Sequence, residues 1–167
     1  MTNAMRAILL LMVLVLAACG YHLRGSNLSD VQFAFKSLYL KAPGETPFVV
    51  DLRHTLKTNK INLAATPDTA DLVLEIVSEH TVKQILSLSG AGRVQEFQLF
   101  YNVSLRAYDN QQNDWLPPEE ISLSRIMTYD DTQVLAKEQE ETLLYKDMRS
   151  DAVGQAVRRL YRAKPQL

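Results

Sequence analysis

Few residues in this chain are of the types that carry out catalysis or bind metals. The three histidines and the single cysteine do not stand at the spacing of a zinc finger or an H-E-x-x-H site. Two acidic pairs, Glu119-Glu120 and Asp130-Asp131, lie at the ends of predicted elements, and adjacent strand residues point to opposite faces, so neither pair suits acid-base catalysis. The sequence has no nucleophile elbow, P-loop or dinucleotide-binding motif. We therefore expect a non-enzymatic protein with no catalytic residue, no metal ion and no cofactor.

Cys19 is the residue whose chemistry is best defined by its context. It follows an apolar stretch, and the segment Leu16-Ala17-Ala18-Cys19 resembles the bacterial lipobox, in which cleavage occurs before the cysteine and its sulfur receives a diacylglycerol. A thiolate is soft and nucleophilic enough to take that lipid. The resemblance implies an N-palmitoyl, S-diacylglycerol cysteine, and several acyl chains anchor a protein stably. Gly20, rather than aspartate, follows the cysteine, which by analogy with lipoprotein sorting in enteric bacteria favours the outer membrane.

The apolar stretch before Cys19 is too short to be a membrane anchor itself. Residues 7–18 would span about 18 Å as a helix, whereas the hydrocarbon core of a bilayer is about 30 Å thick. With Arg6 in front of it, the stretch is typical of a signal peptide. We therefore divide the chain into a cleaved signal peptide (1–18), a lipidated tether (19–30) and a single α+β domain (31–167).

The charge of the chain gives no sign of a polyanionic partner. Eighteen basic and 19 acidic residues leave a formal net charge of −1, and no run of five or more like charges occurs. Nucleic-acid binding depends on concentrated positive charge. We therefore expect no DNA or RNA partner.

Four segments alternate apolar and polar residues and are predicted to form long β-strands: 31–41, 72–86, 97–107 and 121–129. In the second of them, the charged residues Glu75, Glu79 and Lys83 are expected on the face opposite the leucines. A short strand is expected at 61–65, and the glycines of 87–93 suit the tip of a hairpin. The segment 109–118 is polar and ends in two prolines, which predicts a loop.

Two helices complete the predicted fold. The first begins with Thr46 as N-cap and Pro47 in the first turn, has an apolar stripe and stops at Asn59. The second is capped by Asp131 or Thr132 and runs to about Lys164, with apolar residues every four positions. The element order favours an α+β fold: a mixed, mostly antiparallel sheet of about four to five strands with two helices on one face.

The start of the mature chain carries a resemblance to a known family. The run Leu-Ala-Ala-Cys-Gly-Tyr-His-Leu-Arg at 16–24 resembles the start of the mature lipoproteins of the LptE family, and the segments Gln95-Glu96-Phe97 and Ala136-Lys137 are also similar. The resemblance implies an outer-membrane lipoprotein of a Gram-negative bacterium whose domain sits inside the LptD β-barrel. There it would act as plug and assembly partner and receive lipopolysaccharide at the last step of transport.

The same resemblance implies two ligand-binding residues. Lys137 aligns with a basic position that the family associates with lipopolysaccharide binding, and Arg93 lies at the hairpin tip, where Gly90 is the alternative occupant of the equivalent place. Cations of this kind would contact the phosphate oxygens of lipid A. Both side chains are expected to be exposed.

Two other functions are compatible with a lipid-anchored α+β domain. One is a scaffold for another cell-envelope complex or for peptidoglycan, which would have a different co-purifying partner. The other is a tethered envelope hydrolase, which would have an activity that depends on serine, aspartate or histidine residues. The absence of catalytic motifs weighs against the hydrolase.

Overall fold

The computed structural model of the chain describes residues 33–165. Its elements are β1 (Ser37–Lys41), α1 (Pro47–Thr58), β2 (Asn62–Leu63), a 3-10 turn (Pro67–Thr69), β3 (Leu72–Leu88), β4 (Val94–Tyr108), β5 (Asp114–Thr128) and α2 (Val134–Arg162). The predicted signal peptide, the tether and Cys19 lie outside the described residues.

The five strands form one mixed sheet in the order β2-β1-β3-β4-β5. β1 pairs in parallel with both β2 and β3, whereas β3, β4 and β5 are antiparallel neighbours. The parallel step from β1 to β2 needs a crossover, and α1 supplies it. The predicted α+β class with a mixed, mostly antiparallel sheet is confirmed.

The hydrophobic core lies between the two helices and one face of the sheet. Alternate residues of β4 from Leu99 to Ala107 are all buried, as the alternation predicts. From α1 come Phe48, Leu52 and Leu56, spaced four residues apart and fully buried. α2 adds a stripe with the same spacing: Met148, Ala152, Ala156 and Leu160. The Thr46 side chain accepts a hydrogen bond from the backbone N of Val49 at 3.3 Å and caps α1, as predicted.

A β-bulge in β3 places two charged residues on the helix-facing side of the sheet. Ile76 pairs with Leu105 and Glu79 with Val103, so three steps along β3 correspond to two along β4. One extra residue in a strand makes every later side chain point to the opposite face of the sheet. The prediction that Glu79 and Lys83 share a face with Glu75 is therefore wrong, because strict alternation does not anticipate the bulge.

The loop predicted at 109–118 is shorter than expected, because β5 already begins at Asp114. Pro117 and Pro118 lie inside this strand, where the register with β4 shifts between Leu105 and Ala107. A proline cannot donate a ladder hydrogen bond, but at an irregularity in an edge strand no donor is needed. β5 is the edge strand of this sheet, so the two prolines do not end it.

The start of α2 also differs from the prediction. Its N-cap is Gln133, which makes no side-chain capping bond, rather than Asp131 or Thr132. Asp130 instead stabilises the turn before the helix by accepting hydrogen bonds from the backbone N of Thr132 at 2.9 Å and from its hydroxyl at 2.7 Å. Within residues 33–165, no helix combines the length and the apolar character needed to cross a membrane.

Candidate functional site at the tip of the sheet

The loop between β3 and β4 holds Arg93 at the far end of the sheet. The backbone N of Ser89 donates to the carbonyl of Arg93 at 2.7 Å, and the backbone N of Arg93 donates to the Ser89 hydroxyl at 3.1 Å. Gly92 has a φ of 75°, a conformation that glycine adopts without strain. This closed turn fixes the backbone of Arg93, from which the side chain extends.

The loop between β5 and α2 meets the hairpin at the same end. The backbone N of Tyr129 donates to the carbonyl of Gln95 at 2.7 Å, and Thr128 pairs with Glu96 in the sheet. Lys137, in the first turn of α2, therefore lies at the same end of the domain as Arg93. We call this end, formed by residues 85–97 and 126–137, the tip.

Arg93 is largely free to bind a ligand. Its side chain is 76% exposed, and its guanidinium lies 3.6 Å from a carboxylate oxygen of Asp131, which is itself exposed. Ion pairs between exposed side chains contribute about 0–1 kcal/mol. An anionic ligand could therefore displace Asp131 at little energetic cost.

Lys137 is less accessible than predicted, because only 15% of its side chain is exposed. Its ammonium donates to the Thr128 hydroxyl at 3.0 Å and to a carboxylate oxygen of Glu140 at 2.8 Å, so the side chain lies against the end of β5. Hydrogen bonds from Thr132 and, more weakly, the charge of Lys137 hold the pKa of Asp130 below its usual value. The expectation that Lys137 is exposed is therefore wrong, and a ligand would have to displace Glu140 from it.

Apolar side chains at the tip were not identified from the sequence as part of a site. Ile85 and Leu88 on the hairpin and Val134 and Leu135 at the start of α2 are exposed, with Leu135 reaching 76%. These residues flank two turns, and no predicted helix or strand covers them. That pattern in the sequence would have identified them as exposed. Cations beside exposed apolar groups fit an amphiphile with an anionic headgroup.

The charged groups on the helix-facing side of the sheet are engaged with side chains of β4, of the N-cap of α1 and of α2. The carboxylate of Glu79 accepts hydrogen bonds from the hydroxyls of Thr46 and Tyr101. Lys83 pairs with Glu141 of α2 at 2.5 Å. Burial and the hydrogen bond to Glu79 raise the pKa of Tyr101. These contacts hold the helices against the sheet. In the part of the chain that the structure describes, no three His, Cys, Asp or Glu residues lie close enough to hold a metal ion.

Comparison with known proteins identifies the family. The model of the LptE family, described as lipopolysaccharide-assembly, matches residues 35–160. The LPS-assembly lipoprotein LptE of Pectobacterium atrosepticum is 25% identical over 151 residues, which cover 90% of this chain and 80% of that protein. A lipoprotein B from Nitrosomonas europaea is 35% identical with a TM-score of 0.69, over 86% of this chain and 88% of that one. A rare lipoprotein B from Shewanella oneidensis is 25% identical with a TM-score of 0.66, over 73% and 91%. Because the family model matches most of the chain, this protein belongs to the LptE family of lipopolysaccharide-assembly proteins.

Proposed function

We propose that this protein is an outer-membrane lipoprotein, anchored through Cys19, that plugs and helps to assemble the LptD β-barrel and binds lipopolysaccharide during its insertion. The observation that carries the proposal is the family match along residues 35–160. On this proposal the protein is a non-enzymatic subunit of an envelope complex.

The dimensions of the domain suit a plug inside a barrel. β4 has 15 residues, which extend over about 50 Å, and α2 has 29 residues, which extend over about 44 Å. Both are longer than the hydrocarbon core of a bilayer, about 30 Å thick. A body of this length can occupy a barrel from one side of the membrane to the other.

The chemistry of the tip suits lipopolysaccharide. Arg93 and Lys137 offer two cations for the phosphates of lipid A, and Leu88 and Leu135 offer exposed apolar surface beside them. Hydrogen bonds between charged groups are about twice as strong as neutral ones. The phosphates would replace Asp131 at Arg93 and Glu140 at Lys137.

Partner identity is tested by affinity purification of the tagged protein from detergent-solubilised outer membranes. We expect a large β-barrel protein in stoichiometric amount. Its absence, or recovery of a different envelope complex, would contradict the proposed partnership. Recovery from the outer-membrane fraction, rather than the inner one, tests the proposed location in the same preparation.

The ligand site is tested separately with the charge reversals Arg93→Asp and Lys137→Asp combined. We expect lipopolysaccharide to bind at least about tenfold more weakly, because each lost contact involves a charged group. The matched control reverses Lys146 and Arg158, two exposed cations elsewhere on α2. Equal affinity in the wild type and the tip variant would remove both residues from the site, and barrel co-purification should be unchanged in either variant.

A further inference from the structure

We propose that the end of the domain opposite the tip binds the phosphate of an anionic phospholipid headgroup in the membrane that holds the lipid anchor. The site is a cleft of about 520 Å³ between the start of β5 and the end of α2. We call it the anchor-end cleft and define it by Trp115, Pro117, Arg162, Lys164 and Pro165. The inference rests on the anchor at Cys19 in the proposed function.

The chain enters the described domain directly beside this cleft. The ring of Phe33 lies 6.0 Å from that of Tyr161, at the end of α2, and 5.3 Å from that of Phe35. The Phe35 ring in turn lies 6.4 Å from the Trp115 ring. These aromatic contacts fix the point at which the N-terminal segment joins the domain.

The length of the preceding chain limits how far this end can lie from the lipid. Cys19 precedes Phe33 by fourteen residues, which span at most about 50 Å even when fully extended. The tip is farther away, because α2 adds about 44 Å of helix. Of the two ends, the one with the cleft is therefore nearer to the point where the anchored segment joins the domain.

The cations of the cleft are not all explained by contacts within the domain. Arg159 pairs with Glu119 at 3.0 Å and donates to the carbonyl of Glu120 at 3.2 Å. Arg162 and Lys164, by contrast, have no ion-pair partner among residues 33–165. A position at the negative end of the helix dipole favours such cations, but it does not account for a cleft that they share with a tryptophan.

The side chains of the cleft match the surface of a bilayer. Tryptophan and tyrosine are enriched at membrane–water interfaces, and lysine and arginine next to a membrane attract anionic lipids. Glu119, the acidic side chain that lines the cleft in the described part of the chain, is neutralised by Arg159. Asp109 accepts from the Trp115 indole at 3.4 Å and from the backbone of its own loop, so it is also engaged. The remaining positive charge is available for a phosphodiester.

Trp115 makes the proposal directly measurable, because it is the only tryptophan in the sequence. The full mature lipidated protein is reconstituted in vesicles of phosphatidylcholine with or without phosphatidylglycerol, and flotation and tryptophan emission are recorded. We expect flotation with both vesicles, but a blue shift of Trp115 emission only with phosphatidylglycerol. The shift should weaken between 0.01 M and 0.1 M salt, as the Debye length falls from about 30 Å to about 10 Å.

The variants separate this site from general surface charge. Arg162→Gln with Lys164→Gln should abolish the shift that depends on phosphatidylglycerol, whereas Arg158→Gln with Lys146→Gln removes the same charge outside the cleft and should retain it. Loss of the shift in both pairs, or none in the wild type, overturns the proposal. The same shift with inorganic phosphate in detergent would assign the cleft to a soluble anion and overturn the headgroup assignment.

Flotation distinguishes the two levels of the proposal. Protein that floats with phosphatidylcholine alone but shows no response to phosphatidylglycerol has its anchor and lacks the headgroup site, so only the present inference falls. Protein that does not float with either vesicle lacks the lipid on Cys19, and the proposed anchoring falls together with this inference.

Discussion

The hydroxyl group of Tyr101 is expected to contribute about 2 kcal/mol to the free energy of unfolding. The residue is 4% exposed, and its hydroxyl donates to Glu79, which also accepts from Thr46 at the N-cap of α1. A hydrogen bond to a charged group contributes about 1.5–3 kcal/mol. Tyr101→Phe removes this bond and keeps the ring, so the loss of about 2 kcal/mol at pH 7 should appear as a lower urea midpoint with an unchanged m-value.

The difference between the wild type and Tyr101→Phe should disappear at alkaline pH. Burial, followed by the hydrogen bond to Glu79, raises the pKa of Tyr101 in the folded protein, whereas the unfolded value is about 10. The unfolded chain therefore loses the phenolic proton first, and the stability present below pH 10 is lost as the pH rises toward the folded pKa. At about 1.4 kcal/mol per pH unit, a difference of about 2 kcal/mol vanishes about 1.5 units above pH 10.

Tyr161→Phe is the matched control for this substitution. Tyr161 is 47% exposed, and its hydroxyl has no hydrogen-bond partner among the described residues. We expect a change within about 0.5 kcal/mol at any pH. The hydrogen bond from Tyr101 to Glu79 contributes no stability if Tyr101→Phe costs no more than this control, or if its effect is the same on both sides of pH 10.

Three further substitutions test the anchor, the tip and the sheet. Cys19→Ala should abolish incorporation of labelled palmitate, and continued labelling would exclude this cysteine as the lipid site. Glu140→Gln should strengthen lipopolysaccharide binding by up to about fivefold, because it frees Lys137 from a partner of modest strength; Glu138→Gln, an exposed neighbour, should not. Hydrogen bonds from two cations lower the pKa of Glu75, so its contribution to stability is present above its unfolded pKa of about 4.5 and lost as the pH falls. The melting temperature of Glu75→Gln should therefore fall less than that of the wild type as the pH is lowered. An equal fall in the two proteins would contradict this prediction.

The fold could be predicted where the spacing of apolar residues alone decides which side chains are buried. Apart from Phe100, the residues from Leu99 to Ala107 alternate between apolar and polar, and the stripe from Met148 to Leu160 repeats every four positions, so each pattern favours one buried face. Thr46 and Pro47 mark the start of α1 by local chemistry that needs no tertiary information. These features determine the predicted order of elements along the chain, the approximate helix positions and the fold class.

Three of the differences from the prediction share a physical cause, because each depends on a partner distant in sequence. The bulge before Ser78 is visible only against β4, and Pro117 and Pro118 are tolerated only because β5 is an edge strand. Lys137 is a plain surface cation by its sequence neighbours, yet the end of β5 covers it. A resemblance to a family can therefore point to a site residue, but the exposure of its side chain depends on the tertiary structure.

The separation of the two ends of the domain gives the proposed function a geometric consequence. The first turn of α2 holds Lys137, and its last turn lies beside the point where the chain enters, about 44 Å away. A bilayer core is about 30 Å thick, so a domain anchored at the inner leaflet and lying along the barrel axis would bring its tip level with the outer leaflet. On this proposal the tip would meet lipopolysaccharide where it leaves the barrel, and the anchor end would meet phospholipid. Replacing Arg93 and Lys137 with glutamine should therefore weaken lipopolysaccharide binding alone, whereas replacing Arg162 and Lys164 with glutamine should weaken phospholipid binding alone.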